Sequence, residues 1–277
     1  MMAAPPAAGL IALKPTTHAK SRLAVPDPLR RRLAWTMALD TLAALSRALP
    51  HVLVVSDQPA LEAQLRRAGL AVEVISESGH VGINSALTRG AQTMQAQGFT
   101  TVMACVGDLP ALRRDSLLRI LDASRAHRRS FVADASGVGT TILVAHHVEL
   151  APQFQGRSAA AHYASGAVSL STEAIGSPIA DARRDVDTEA DLAVAIGLGV
   201  GQATRALVDH ETGRLGRYEL ITATQWRTAE GEQVAVTASG RRIALHAEAL
   251  GDELRHVRVG QRLHSVEAGG RVLSAWL

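Results

Sequence analysis

From Gly9 to about Asp209, short unbroken apolar runs alternate with stretches whose apolar positions recur near helical spacing. Gly9–Leu13, His51–Ser56, Val72–Ile75 and Thr101–Val106 are the unbroken runs, and they predict buried strands. Helical patterns lie between them. The longest covers about Leu29 to Leu49, with Leu33, Met37, Leu42 and Leu45 as its apolar repeat. A second opens at Pro59, runs to Ala68 and closes at Gly69, with proline at the start and glycine past the end. A third covers about Asn84 to Gln97 and stops at Gly98; a fourth, capped by Asp115, runs to about His127. Near-continuous apolar strands joined by helices predict an α/β fold around a mostly parallel sheet covered on both faces.

The pattern then changes. Ser130–Ala133 and Thr140–Val144 read as short strands around a glycine-rich turn, Ser136–Gly139. A polar stretch runs to about Arg184, followed by Asp185-Val186-Asp187-Thr188 and a helix from Glu189 to about Ile196. We expect a first domain over residues 1–209. Beyond it, Tyr218–Trp226, Gln233–Thr237, Arg242–Ala247, Gln261–Val266 and Arg271–Leu277 are strand-like runs parted by turns. Short strands at that spacing predict a small OB-like or cold-shock-like β-barrel over residues 216–277.

Composition narrows the function classes. Cys105 is the single cysteine among 277 residues, which excludes an intrachain disulfide framework and a multi-cysteine zinc cluster. No apolar run reaches the roughly 18 residues of a membrane span, and Met1–Leu10 lacks the basic start of a secretion signal. A cytoplasmic protein without a membrane partner is expected. Net charge is only +3, too mild to point to a polyanion binder, and 3% aromatic content leaves few faces for base stacking. The cations are uneven: all are arginine except Lys14 and Lys20, six positions apart in the loop after the first strand. An ammonium serves phosphate oxygens as a compact point charge, unlike the planar guanidinium. The alternative is two ordinary surface lysines.

Ligands of open α/β sheets bind beyond the carboxyl ends of the strands. Asp108, in Gly107-Asp108-Leu109-Pro110, and the pair Asp185/Asp187 fall at such ends and suit a hard cation. In an extended segment, side chains two apart share a face. Turn formation or helix capping is the alternative for each; Asp57 is assigned to a plain strand-to-helix turn. His18 lies in the cationic loop, within reach of phosphate. Cys105 reads as a small buried hydrophobe, and His146-His147 has no further ligand nearby in sequence. The P-loop, dinucleotide and H-E-x-x-H spacings are absent.

Several motifs in register carry a resemblance. They are Leu10-Ile11-Ala12-Leu13-Lys14 with Ala19-Lys20-Ser21-Arg22-Leu23, Gly82-Ile83-Asn84-Ser85-Ala86-Leu87, Gly107-Asp108-Leu109-Pro110, Gly137-Val138-Gly139-Thr140, and Asp185-Val186-Asp187-Thr188. From about Gly9 to Ala203 the chain resembles the 2-phospho-L-lactate/phosphoenolpyruvate guanylyltransferase family of coenzyme F(420) biosynthesis. The resemblance implies a glycosyltransferase-A-like (Rossmann-like) nucleotidyltransferase sheet, with GTP and Mg²⁺ as ligands. It implies transfer of GMP to phosphoenolpyruvate or 2-phospho-L-lactate, and a downstream transferase that accepts the labile product. By position, Asp108, Asp185 and Asp187 match metal-binding acids. Leu13, Lys14, Lys20, Ser21 and Arg22 match the triphosphate side, and Asn84 the nucleoside side. Thr140, Gln155 and Ser158 match acceptor-binding positions, with Lys14, Lys20 and Asp108 expected to carry catalysis.

The chain departs from the family pattern at Ala12 for proline, Ala135 for arginine, Val138 for threonine and Gln155 for glycine, the last placing a side chain beside the acceptor. Rival readings are a molybdopterin-type guanylyl or cytidylyl transferase, a weakened paralogue, and nucleic-acid binding through the barrel. The first usually has a glycine-rich loop after the first strand, and Lys14–Ala19 holds no glycine. The barrel region has eight arginines against seven acids and only Tyr218, Trp226 and Trp276 as aromatics, so packing or homodimerisation is the expected role there.

Overall fold

The computed structural model describes residues 7–14, 23, 25–76, 82–211, 217–225, 232–246, 249–250, 257–268 and 271–276. In chain order it holds β1 (Ala7–Ala12), α1 (Asp27–Ala48), β2 (His51–Val55), α2 (Leu61–Arg67), β3 (Glu73–Ile75), α3 (Ile83–Ala96), β4 (Thr101–Cys105) and α4 (Arg114–Ser124). Next come β5 (Arg129–Ala133), β6 (Thr140–His146), α5 (Ser158–Ala164), β7 (Val168–Ser169), α6 (Thr172–Ile175), α7 (Ala180–Arg183), α8 (Glu189–Leu198) and α9 (Gln202–His210). The last elements are β8 (Arg217–Ala223), β9 (Glu232–Thr237), β10 (Arg242–His246), β11 (Arg262–Ala268) and β12 (Arg271–Trp276).

β1 to β7 form one sheet in the order β3-β2-β1-β4-β6-β5-β7. Its pairs are parallel except those of β6, which runs antiparallel to β4 and β5. The pleat sends successive apolar residues to opposite faces. Ile11, Val54, Met103 and Ile142 meet Leu42 and Leu45 of α1 and Ile120 of α4 on one side. Leu10, Leu53, Ala104 and Leu143 meet Leu87 and Met94 of α3 on the other. The helix–sheet approach on that second face is tightest at Gly90, where a Cβ would lie 2.4 Å from Leu10 Cδ1 and 2.8 Å from Val55 Cγ2.

Two helix starts differ from the sequence expectation. Pro59 lies in a turn, and α2 begins after Ala60, whose φ is +60°. Asp115 sits inside the first turn of α4 rather than at its cap. The carboxylate of Asp181 does that work, accepting from the Arg113 backbone N–H (2.9 Å) and from Ser116 Oγ (2.9 Å). The polar stretch up to Arg184 also carries short elements, α5, β7, α6 and α7, which display less than two helical turns or three strand residues each and so show no readable period.

The remaining strands form an antiparallel sheet in the order β10-β9-β8-β11-β12, with Ile221, Ala235, Leu245, Leu263 and Val272 inside. Its edge strands β10 and β12 touch, so the sheet curls as an OB-like barrel does. α8 packs against β8, β11 and β12. Among the described residues no single helix is long and apolar enough to cross a membrane.

Candidate active site

The carboxyl ends of β1 and β4 come together because Gly107 has no side chain: a Cβ there would lie 2.8 Å from Leu13 Cδ2. The turn is pinned by the Leu109 N–H donating to Thr41 Oγ1 (3.1 Å). The Val186 N–H then donates to the Asp108 carbonyl (3.1 Å), which brings the Asp185-Val186-Asp187 segment onto that turn. Val186 is fully buried among residues of α1, α8 and α9, while Asp185 and Asp187 on either side of it stay half-buried.

Negative charge accumulates here. Burial pushes the Asp185 carboxyl up to about 7, and the charges of Asp108, Asp187 and Asp134 push the same way. Among the described residues no three acid, histidine or cysteine side chains form a finished metal cage. α8 starts two residues after Asp187. Its cap is a box in which Asp191 N–H donates to Thr188 Oγ1 (3.2 Å) and Thr188 N–H to Asp191 Oδ2 (3.0 Å).

Lys14 stands beside this cluster. With Leu13, Trp35, Gln58, Gly107 and Asp108 it lines a cavity of about 180 Å³. Leu13 has its backbone committed, its N–H to the Val55 carbonyl (3.0 Å) and its carbonyl to Ser56 Oγ (2.6 Å). Lys20, Ser21, Arg22 and His18 lie outside the described residues.

A second group gathers around the glycine-rich turn. Asp134 Oδ1 accepts from the Val138 N–H (3.0 Å) and Ser136 Oγ (2.8 Å), and Oδ2 from the Gly139 N–H (2.9 Å). Arg183 donates to the Asp134 carbonyl (2.7 Å) from the far side. Thr140 follows the turn, and its Oγ1 lies 2.9 Å from His162 Nδ1. The turn also meets α5, whose Ala159 N–H donates to the Val138 carbonyl (3.1 Å) and whose Ser158 is buried.

Asn84, at the start of α3, grips the loop that leads into α5. Its Oδ1 accepts from the Phe154 N–H (2.7 Å), and its Nδ2 donates to the Phe154 carbonyl (2.9 Å). Both polar atoms of the side chain are thus used within the fold. Next in that loop, exposed Gln155 has a φ of +104°, a conformation that favours glycine.

Asp134, His162, Asp181 and Arg183 were not singled out as site residues from sequence. For Asp134 a signal existed, an acid ahead of a glycine-rich turn. The residues assigned to structure behave so. Cys105 is buried, and burial followed by the Asp108 charge pushes its thiol well above the usual range. His146 is held between Thr101 Oγ1 (2.9 Å) and Ser124 Oγ (2.8 Å). Asp57 accepts from Ser76 Oγ (2.6 Å) in the turn after β2.

Lys14 and Asp108 lie beyond the ends of β1 and β4, and the Asp185–Asp187 loop between α7 and α8 is brought onto them, an arrangement suited to a phosphate-bearing ligand. A solved structure described as a nucleotide-diphospho-sugar transferase from Desulfovibrio desulfuricans shares the fold, with a TM-score of 0.57 at 13% identity over 76% of this chain and 96% of that one. The chain belongs to the family described as "Guanylyl transferase CofC like", whose model matches residues 8–209. It is 42% identical over 203 residues to the phosphoenolpyruvate guanylyltransferase of Thermomonospora curvata, covering 72% of this chain and 86% of that protein. It is also 42% identical over 204 residues to that of Streptomyces coelicolor, covering 72% and 93%. The five-stranded sheet lies beyond the segment that the family model matches.

Proposed function

We propose that this chain transfers GMP from GTP to phosphoenolpyruvate, or to 2-phospho-L-lactate, with release of pyrophosphate, as a cytoplasmic step of coenzyme F(420) biosynthesis. The observation that carries the reading is the Val186-to-Asp108 backbone bond, which joins three family-matched acids beside Lys14. A phosphate oxygen of the acceptor attacks the α-phosphorus in line; the α–β anhydride bond breaks and pyrophosphate leaves. No protein nucleophile is needed, so catalysis is positioning and charge stabilisation.

Asp108, Asp185 and Asp187 offer hard oxygen donors; burial first, and then the neighbouring charges of Asp108 and Asp187, raise the Asp185 carboxyl, and a cation would offset both. Mg²⁺ is usually held by one or two carboxylates plus substrate phosphates, so it would need no more than two of these acids. Bound there, the ion would screen the two reacting anions. Lys14 faces the triphosphate and neutralises charge on the departing pyrophosphate, a role that the family resemblance extends to Lys20, Ser21 and Arg22. The segments at Leu13 and Asn84 form the nucleotide side, Leu13 through its side chain and Asn84 by fixing the loop at Phe154. Thr140 and Ser158 hold the acceptor, with backbone groups at Gln155 beside them. The enol or lactyl phosphoanhydride product is labile and suits direct use by a downstream transferase. The C-terminal sheet serves packing or homodimerisation.

The test is pyrophosphate release by purified protein with GTP, Mg²⁺ and each phosphoacid. Asp108→Asn, which removes ligand charge at a strand end, is expected to cut kcat by at least about a hundredfold with the melting temperature retained. Near-native turnover with unchanged Mg²⁺ dependence would remove Asp108 from the metal site.

A further inference from the structure

We propose that His162 is the positioning residue of the acceptor side, holding the Thr140 hydroxyl as a hydrogen-bond donor toward the acceptor's phosphate. The inference rests on the acceptor reading given above.

His162 lies on α5 with no exposed surface. The Gln153 backbone N–H, which can only donate, is 2.8 Å from Nε2. Nε2 therefore carries the lone pair, and the proton of the neutral ring sits on Nδ1. Nδ1 is the atom 2.9 Å from Thr140 Oγ1, so the ring donates and the threonine oxygen accepts. The single proton of that hydroxyl then points away from the ring. In the other tautomer Nδ1 would take that proton, and the hydroxyl would meet an anionic phosphate with lone pairs only.

The surroundings keep the ring neutral and fixed in its plane. Burial pulls its pKa down to about 4 and the Arg129 charge pulls the same way, against an upward pull from the Ser158 backbone. The Phe154 ring meets it edge-on with centroids 5.2 Å apart, and Phe131 lies at 5.8 Å. One imidazole on α5 thereby ties Thr140 on β6 and the loop at Gln153 to that helix.

The variants separate the two ring nitrogens. His162→Gln keeps a polar group near the Nε2 position and loses the Nδ1 donor; His162→Asn places an amide near the Nδ1 position. His162→Gln is expected to raise KM for phosphoenolpyruvate about tenfold, the loss of one charge-assisted hydrogen bond, with KM for GTP unchanged. His162→Asn is expected to recover most of that loss, and in a Thr140→Val background His162→Gln should add nothing. Long-range proton–nitrogen NMR of the unmutated protein, expected to show the Nδ1-protonated ring, tests the premise without any variant. An Nε2-protonated ring, an unchanged KM for phosphoenolpyruvate, an equal rise in both KM values, or full additivity with Thr140→Val would each overturn the assignment. If the unmutated protein turned over neither phosphoacid, the acceptor reading would fall and this assignment with it; turnover with indifferent His162 variants would overturn this assignment alone.

Discussion

A buried imidazole that stays neutral makes stability depend on pH in one direction. In the fold His162 takes up a proton only near pH 4, whereas its ordinary value is 6.5. Between those values the unfolded chain binds more protons than the folded one, so the contribution is complete above 6.5 and is lost as pH falls toward 4. The melting temperature is expected to drop over that window less steeply in His162→Asn than in the unmutated protein, as differential scanning fluorimetry would show; parallel slopes would mean that the ring titrates normally. At this scale the sequence exposes some residues and hides others. Asp108 is legible because an apolar strand followed by Leu-Pro can only end there. His162 is hidden because its partners, Thr140 and Gln153, belong to segments that only the tertiary fold brings to it. The strained backbone of Gln155 is hidden too, since a side chain's identity does not announce a positive φ.

Elements are legible in proportion to their length. β1, β2 and β4 follow from unbroken apolar runs, and α1 and α3 from long helical repeats. The short helices α5 to α7 carry too few turns to show a period, yet α5 brings Ser158 and His162 to the glycine-rich turn and Thr140. The sequence points to Asp115 as the cap of α4 for a similar reason, since the carboxylate that takes that place, Asp181, lies on one of those short helices. Where α3 crosses β1 and β2, Gly90 is spacing rather than weakness. Alanine favours an exposed helix by about 1 kcal/mol over glycine. The 2.4 Å approach to Leu10 Cδ1 reverses the sign here. Gly90→Ala is expected to destabilise the protein by about 1–3 kcal/mol, the usual cost of overpacking, read from the urea midpoint. A stabilised variant would show that the sheet yields to the helix.

At the scale of the molecule, the change of sequence pattern after Asp209 corresponds to a change from a mixed seven-stranded sheet to a curled antiparallel one. What the pattern did not reveal is that α8, the helix following Asp185 and Asp187, rests against the second sheet. A chain cut after Asp209 is therefore expected to fold with a lower melting temperature, because a face of α8 is uncovered, while kcat stays within about threefold because Asp108, Asp185 and Asp187 all precede the cut. A well-folded fragment without activity would show that the second sheet supports the site through α8. The strand order also sets a timetable for synthesis. β1 occupies the interior of its sheet, yet β4, its partner on one side, emerges from the ribosome only after α2, β3 and α3, and β6 inserts between β4 and β5 later still. Throughout that interval the nascent chain carries an apolar strand with one unpaired edge, which is the stage at which co-translational chaperones have the most to protect.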